Sequence, residues 1–257
     1  MKQVPRALSI VPLSGIGEVR PGDSLVTILA DALSEAGLAI EAGDILVVTS
    51  KIMSKAEGRF VDLRKVSVSE RAAELAEQTL KDPRLVELVL AESTHIVRAV
   101  PHVLITRHHL GLVMANAGID QSNLGPDGND HVLLLPQSPD QSAAVLRAGL
   151  ADALGQAPAI VVSDSFGRPW RHGVVNVGIG ASGLPALVDR RGEADRDGRI
   201  LEVTQVALAD MIATAAGLVT GEGGEGVPAA LVRGYPLPAG ECPASAIVRP
   251  PAQDLFA

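Results

Sequence analysis

Apolar residues recur along the chain at two spacings, one typical of helices and one typical of buried strands. Leu25, Ile28 and Leu29 follow the helical period, and Asp23 before them is the expected N-cap. Gly37 is the expected end of that helix. The same spacing predicts further helices over residues 69–80, after Asp82-Pro83, from Asp140 as a cap to residue 154, and over residues 204–218.

Short apolar runs predict strands at residues 8–13, 44–48, 103–106, 111–115 and 159–163. The two runs on either side of His108 and His109 form an antiparallel hairpin in this interpretation. Helices and strands alternate irregularly, without the regular strand-helix-strand order of a doubly wound parallel sheet. The order therefore favours an α+β fold.

Composition narrows the classes of partner. Hydrophobic residues make up 47% of the 257, yet only three Phe, one Trp and one Tyr are present. Few aromatic rings and a net charge of -8 disfavour nucleic-acid binding, which uses stacking and a basic surface. The lone Cys242 excludes an internal disulfide, and no apolar run approaches the roughly 20 residues of a membrane span. We therefore expect a cytoplasmic protein without membrane or nucleic-acid partners.

Polar residues that follow predicted strands are the first candidates for chemistry. Asp120 and Asn123 follow the 111–115 run, whereas Asp164 and Ser165 follow the 159–163 run. Carboxylate and hydroxyl oxygens are the donors that Mg²⁺ or Mn²⁺ prefers. A structural role is the alternative, because Asp and Asn bond to their own backbone in turns and Asp or Ser cap helices. Local spacing leaves both interpretations open.

Basic residues near these segments suggest phosphate chemistry. Ser50-Lys51 and Ser54-Lys55 follow the 44–48 run, so that hydroxyl and ammonium donors would converge on one polyphosphate. The alternative is an ordinary solvated surface. Arg168 and Arg171 flank Trp170 and are suited either to fork onto phosphate or carboxylate oxygens or to pair with surface acids.

Gln205 is predicted at a helix start, where its amide oxygen is either a metal ligand or simply part of the first turn. His172 has no carboxylate partner near it in the sequence, and the other five histidines are expected in loops, so no histidine is assigned a catalytic role. The chain has no GxxxxGK[ST] phosphate loop, no GxGxxG after a strand and no zinc-type Cys/His spacing. The common nucleotide-binding folds are therefore disfavoured.

Taken in order, these segments resemble the coenzyme F-420-0:L-glutamate ligase family over nearly the whole chain. The matching pieces are Arg20-Pro21-Gly22-Asp23, the run from Val48 to Lys51 with Ser54-Lys55 and Glu57-Gly58-Arg59, the run from Asn116 to Asn123, Asp164 to Arg168 with Trp170-Arg171, and Val232-Arg233-Gly234. Several ordered blocks are far more specific than any single motif.

The resemblance implies GTP-dependent amide formation. In that reaction the γ-phosphate activates the lactyl carboxylate of coenzyme F-420-0 as an acyl phosphate, which the amine of L-glutamate attacks, and further γ-linked glutamates can follow. It also implies Mg²⁺ or Mn²⁺, with two ions in each site, and K⁺. The implied fold is a single domain over residues 1–257, made of two mixed α/β lobes with largely antiparallel sheets, in an intertwined homodimer. Some bacterial members carry a fused C-terminal flavin-binding domain, which we do not expect here.

The resemblance assigns roles to individual positions. Asp120 and Asp164 match the ligands of one metal, and Ser165 and Gln205 match those of a second, with Ser165 standing where Thr is common. The positions that match GTP contacts are Ile16, Gly17, Glu18, Val19, Ser50, Lys55, Asn123, Val203, Thr204, Gln205, Val206, Ala207, Leu208, Ala209 and Asp210. Arg168 and Arg171 are a separate hypothesis, as the residues that orient carboxylate or phosphate during catalysis.

The sequence also leaves room for two other functions. The glycine turn at residues 221–226 carries Glu222 and Glu225 where more basic character is expected. A metal-dependent phosphohydrolase would use the same aspartates and arginines to activate water against a phosphate. Dependence of GTP turnover on glutamate separates this hydrolase from a ligase. A GTP-binding sensor without catalysis would use the same loops, and mass spectrometry of the precursor, which a sensor leaves unchanged, separates it from a ligase.

Overall fold

A five-stranded sheet forms the centre of the chain in the computed structural model, which describes residues 7–124 and 130–254. Its strand order is β1 (Ser9–Pro12), β12 (Ala229–Arg233), β2 (Ile45–Thr49), β8 (Ala159–Arg168) and β9 (Arg171–Ser182). Strands β2 and β8 are parallel, and the other neighbours are antiparallel. Strand β2 therefore ends beside Ser163, in the middle of β8, which continues to Arg168.

Helices cover both faces of this sheet because its central strands are apolar on both sides. Leu46 and Val48 are fully buried on one face, in a cluster that includes residues of α1 (Leu25–Glu35) and α5 (Pro139–Leu154). The alternate residues of β2 are buried on the other face, against α6 (Leu208–Thr220). A strand buried on both faces explains why residues 44–48 read as a continuous apolar run.

The residues between these elements build a second group around a core of their own. Strand β3 (Phe60–Asp62) pairs with β7 (His131–Leu133), and β4 (Ser93–Val100), β5 (Val103–His108) and β6 (Val113–Ala115) form an antiparallel sheet. Helices α3 (Glu70–Thr79) and α4 (Pro83–Ala91) share a buried cluster with Leu104. The remaining named elements are α2 (Ser50–Ala56), β10 (Leu187–Asp189) and β11 (Gln205–Ala207).

Several sequence predictions are confirmed by this architecture. The fold is α+β with mostly antiparallel sheets, and the hairpin around His108 and His109 is present. Helices α3 and α4 begin where predicted, with Ser69 and Asp82 as N-caps whose side chains accept from Ala72 N and Arg84 N. Across the described ranges, no helix is both long and apolar enough to cross a membrane.

Three predicted helix starts are wrong. Ser24 caps α1, whereas Asp23 accepts a hydrogen bond from Arg20 N at 2.8 Å. Asp140 lies inside the first turn of α5, where its carboxylate accepts from Ala181 N and Ala244 N at 2.9 and 2.7 Å. It therefore holds other segments together rather than capping its own helix.

The predicted helix over residues 204–218 also starts too early. Residues 205–207 form β11, which pairs with β10, and α6 begins only at Leu208. Gln205 is thus a strand residue. Val206 pairs with Val188 across the two strands, so tertiary pairing outweighs the helical pattern of the alanine-rich stretch that follows.

Candidate functional site

A cleft of about 770 Å³ lies where β2 ends beside Ser163, in the middle of β8. Most residues predicted to bind ligands line it, although they come from distant parts of the sequence. The lining segments are residues 16–19, 49–52, 55, 114–115, 118–120, 122–123, 163–167, 174, 176 and 220–228. The size and mixed polarity of this cleft suit a small-molecule site.

The parallel register of β2 and β8 brings Ser50 to Asp164. Thr49 pairs with Ser163. The residues that follow them, Ser50 and Asp164, therefore lie side by side. Ser50 Oγ donates to Asp164 Oδ1 at 2.8 Å. Strand β8 does not end at Ser163, as the sequence suggested, but continues to Arg168, so Asp164 and Ser165 are strand residues rather than loop residues.

Asp120 reaches the cleft from the second group of elements, and its backbone is fixed there. Asp120 N and Asp120 O each bond to Leu133 at 2.9 Å, which ties the residue to the end of β7. The turn before it is unusual, because Asn116, Ala117 and Gly118 all have positive φ, at 50°, 52° and 70°. Left-handed backbone at non-glycine residues costs free energy and persists where the surrounding structure enforces it.

The side chain of Asp120 combines both of the roles that the sequence left open. Its Oδ1 accepts from Ser122 N at 2.7 Å and from Ser122 Oγ at 2.8 Å, which is the turn geometry of the structural interpretation. Its Oδ2 faces Lys51 Nζ at 2.7 Å. One carboxylate oxygen therefore stabilises the loop while the other faces a cation in the cleft.

The two aspartates have opposite electrostatic environments. Burial raises the pKa of Asp164 to about 7, with a smaller contribution from the nearby Asp120 carboxylate and against the opposing effect of the hydrogen bond from Ser50. Burial also acts on Asp120, but hydrogen bonds from Lys51 and Ser122 hold its pKa below the ordinary value. Lys51 thus pairs with the Asp120 carboxylate, whereas among the described residues the Asp164 carboxylate has only the hydroxyl group of Ser50 as its side-chain partner.

Two lysines of α2 complete this side of the cleft. Lys51 and Lys55 are one helical turn apart, so both point to the same side of the helix. Lys55 is only 4% exposed, and its ammonium group contacts the Glu18 carboxylate and donates to Asn123 O at 2.8 Å. A solvated surface lysine, the alternative for Lys55, is therefore excluded.

The glycine turn at residues 221–226 also lines the cleft, which the sequence analysis did not predict. Asn123 Nδ2 donates to Gly223 O at 3.3 Å, and buried Asn176 donates to Glu222 Oε1 at 2.7 Å. Glu225 Oε2 accepts from Gly223 N at 2.7 Å. A glycine-rich run directly before a buried apolar strand was the available signal, because such runs let backbone N-H groups approach an anion.

Other predicted site residues lie away from this cleft. Among the described residues that line it, none comes from the 203–210 segment, and Gln205 is on the β10–β11 pair opposite Asp189. Asp210 accepts from Gly178 N at 2.9 Å and lines a neighbouring cavity. Arg168 and Arg171 flank the turn between β8 and β9, where Arg168 Nη2 donates to His172 O at 3.3 Å. The structure brings none of these to Asp120 and Asp164.

The donors around Asp120 and Asp164 fit a divalent ion that retains waters. No group of three or more His, Cys, Asp or Glu side chains is placed to hold a metal within residues 7–124 and 130–254. Mg²⁺ commonly binds through one or two carboxylates together with substrate phosphates, rather than in a complete protein cage. The raised pKa of Asp164 means that its ionised form is poorly stabilised beside a second carboxylate, and a divalent ion would stabilise that form.

Comparison with known proteins decides the family to which this chain belongs. The sequence profile of the family described as F420-0:Gamma-glutamyl ligase matches residues 15–234. The chain belongs to the F420-0:gamma-glutamyl ligase family. The matched range contains every segment that lines the cleft, so the family profile and the geometry describe the same part of the molecule.

Individual members of the F420-0:gamma-glutamyl ligase family are similar over most of their length. A coenzyme F420:L-glutamate ligase of Methanopyrus kandleri is 44% identical over 253 residues, which cover 97% of each chain. The protein of the same name from Methanothermobacter thermautotrophicus is 43% identical and covers 89% of this chain and 90% of its own. One from Halorubrum lacusprofundi is 43% identical over 89% of this chain and 88% of its own.

Proposed function

We propose that this chain joins L-glutamate to the phospholactyl carboxylate of coenzyme F-420-0, with GTP as the source of activation. Family membership and the names of the relatives support this substrate pair. The observation that carries the proposal is the meeting of Asp120 and Asp164 with Lys51 and Lys55 in one cleft. Phosphoryl transfer depends on this kind of charge and positioning more than on a nucleophilic side chain.

The reaction we propose has two steps. The lactyl carboxylate first attacks the γ-phosphate of GTP, which forms an acyl phosphate and releases GDP. The amine of L-glutamate then attacks the acyl carbon and loses a proton, while inorganic phosphate leaves and an amide remains. Further glutamates would be added through their γ-carboxylates by the same two steps.

The cleft residues would contribute mainly by binding and orienting the phosphates. The Lys55 ammonium group is held deep in the cleft by Glu18 and Asn123, so it stabilises negative charge at a fixed place. The glycine turn at residues 221–226 lines the same cleft, where its backbone N-H groups would bind phosphate oxygens. A divalent ion held by Asp120 and Asp164 would neutralise phosphate oxygens during transfer.

The proposal also includes Mg²⁺ or Mn²⁺, K⁺ and assembly as a homodimer, which rest on the family alone. A second divalent ion at Ser165 and Gln205 stays a prediction, because Gln205 is outside the cleft described above. The two-lobe division and a role for Arg168 and Arg171 in orienting substrate stay predictions as well. The Asp120 and Asp164 pair is the metal site that the cleft supports best, because both residues line it.

Product analysis tests the proposed reaction. Incubation with GTP, Mg²⁺, L-glutamate and coenzyme F-420-0 is expected to yield a product heavier by one glutamyl residue, detected by mass spectrometry, with one GDP released for each amide. Parallel reactions that omit either glutamate or the precursor are the controls. Equal GTP turnover in those controls would instead indicate a phosphohydrolase. An unchanged precursor with bound but unconsumed GTP would indicate a sensor.

A further inference from the structure

The ammonium group of Lys51 occupies the position where a divalent ion would contact Asp120. Lys51 Nζ lies 2.7 Å from Asp120 Oδ2, and the other oxygen of this carboxylate is taken by Ser122. A Mg²⁺ ion binds carboxylate oxygen at about 2.0–2.1 Å. An ion at Oδ2 and an ammonium group at its present place would therefore be two cations on one oxygen atom, less than about 5 Å apart, and their repulsion is unfavourable.

The Lys51 side chain has space in the cleft to change its position, whereas that of Lys55 does not. The Lys51 side chain is 27% exposed and lines the open cleft, and its remaining partners are Ser122 O at 3.2 Å and Ser122 Oγ at 3.0 Å. The Lys55 side chain is 6% exposed and is held by Glu18 and Asn123, which are not the predicted metal ligands. Partly exposed ion pairs are weak, so exchange of the Lys51 partner costs little.

We propose that Lys51 is the resident counter-ion of Asp120 and that a divalent ion displaces its ammonium group toward the nucleotide phosphates. This inference rests on the proposed metal site and adds a regulatory step to it. Metal binding and the release of Lys51 are one event, so the lysine competes with the ion when no nucleotide is present. The same lysine then supports nucleotide binding once the ion is in place.

Mn²⁺ titration of the nucleotide-free protein, with free Mn²⁺ followed by EPR spectroscopy, tests the competition. Lys51→Met is expected to lower the Kd for Mn²⁺ by about fivefold or more, because the competing cation is gone. The same variant, saturated with Mn²⁺, is expected to bind GDP more weakly than the wild type. Lys51→Arg retains a cation beside Asp120 and is expected to bind Mn²⁺ as the wild type does.

Lys65→Met is the matched control. Lys65 is exposed, lies outside the cleft and stands 3.8 Å from Asp62, so its loss removes one positive charge and one ion pair elsewhere. Its Kd for Mn²⁺ is expected to equal the wild-type value. Thermal unfolding of each variant checks that the fold persists.

Two results would overturn the inference in different ways. An unchanged or higher Kd for Mn²⁺ in Lys51→Met would show that Lys51 does not compete, while the metal site itself would stand. Identical Mn²⁺ binding by wild type and Asp120→Asn would show that Asp120 holds no ion. The second result would contradict both this inference and the proposed metal site, whereas the first would contradict this inference alone.

Discussion

Asp120 and Asp164 have the same side chain but different surroundings. Asp120 accepts hydrogen bonds from Ser122 and faces Lys51, whereas Asp164 is part-buried and accepts from Ser50. The folded-state pKa of Asp164 is about 7, above the ordinary 3.8, so the folded state holds its proton more tightly than the unfolded state does. This residue therefore opposes folding increasingly as the pH rises from about 4 to 7.

Substitution of each aspartate by its neutral isostere separates catalysis from stability. Asp120→Asn and Asp164→Asn are each expected to lower ligase turnover by about 100-fold or more, since each removes a charge that we propose holds the divalent ion. At pH 8 the Tm of Asp164→Asn is expected to equal or exceed that of the wild type, because a buried charge has been removed. Product formation and thermal unfolding are the measurements.

Asp152→Asn on the exposed side of α5 is the control, with turnover expected to remain at the wild-type rate. Near-normal turnover in either cleft variant would contradict the assigned role of that aspartate. A markedly lower Tm for Asp164→Asn at pH 8 would contradict the electrostatic description.

At the scale of elements, the turn at residues 116–118 sets the position of Asp120. Gly118 has φ of 70°, and a Cβ there would lie 2.7 Å from Met114 Cε and 2.9 Å from Leu135 Cγ. The position therefore requires glycine both for its backbone conformation and for the space around it. It links the end of β6 to the loop that carries Asp120.

Gly118→Ala is expected to lower the free energy of unfolding by about 2–4 kcal/mol, from backbone strain and overpacking together. Gly192→Ala is the matched control, since Gly192 also has positive φ, at 86°, but nothing lies within 4 Å of its Cβ position. Its cost is expected to be about 1 kcal/mol. Equal losses in urea denaturation would show that the packing around Gly118 does not matter.

The sequence predicts these elements best where the pattern is local. Helices α3 and α4 follow from helical spacing and capping residues, and the β5–β6 hairpin follows from two apolar runs with a short turn. Gln205 is misplaced because its strand has only three residues and precedes a strong alanine-rich helix. The pairing that makes it a strand involves Asp189, sixteen positions earlier, which no local pattern shows.

The site itself is predictable in its residues but not in its geometry. Asp120, Asp164, Ser50 and Lys55 were recognisable as polar residues after apolar runs. Their meeting depends on the parallel register of β2 and β8, which are more than 100 residues apart. The glycine turn was visible in the sequence, but its place in the cleft follows only from the path of α6 and β12.

At the scale of the whole molecule, a part-buried polar cluster around Glu92 joins the segment that follows α2 to β5. Arg59, directly after α2, donates to Leu135 O at 2.9 Å and to Glu92 Oε2 at 3.1 Å. His108 is 5% exposed and pairs with the same carboxylate oxygen at 3.3 Å. Leu110 N donates to His108 Nδ1, so the proton of the ring is on Nε2 and points to Glu92. The expectation of a loop histidine at this position is wrong.

This cluster gives the stability of the protein a dependence on pH. The hydrogen bond from His108, and then the charge of Arg59, hold the pKa of Glu92 below its ordinary 4.5. A lowered folded-state pKa means that the stabilisation is present above the ordinary value and is lost as the pH falls through the lowered one. Glu92→Gln is expected to reduce the free energy of unfolding at pH 7 by about 1–3 kcal/mol.

The difference between Glu92→Gln and wild type is expected to narrow below about pH 4.5, as urea denaturation at several pH values would show. Glu74→Gln, in an exposed pair with Arg71, is the control and is expected to change stability by at most about 0.5 kcal/mol at any pH. If the difference in free energy of unfolding between Glu92→Gln and wild type stayed constant down to pH 3, the effect of the substitution would come from packing rather than from charge.

The side-by-side course of β2 and β8 makes the distance between Ser50 and Asp164 independent of the length of the chain that connects the two strands. Ser50 and Asp164 are neighbours because Thr49 and Ser163 share a rung of the sheet, not because of the path between them. A longer exposed turn between β4 and β5, or a reporter peptide inserted there, is therefore expected to leave the spacing of Ser50 and Asp164 unchanged.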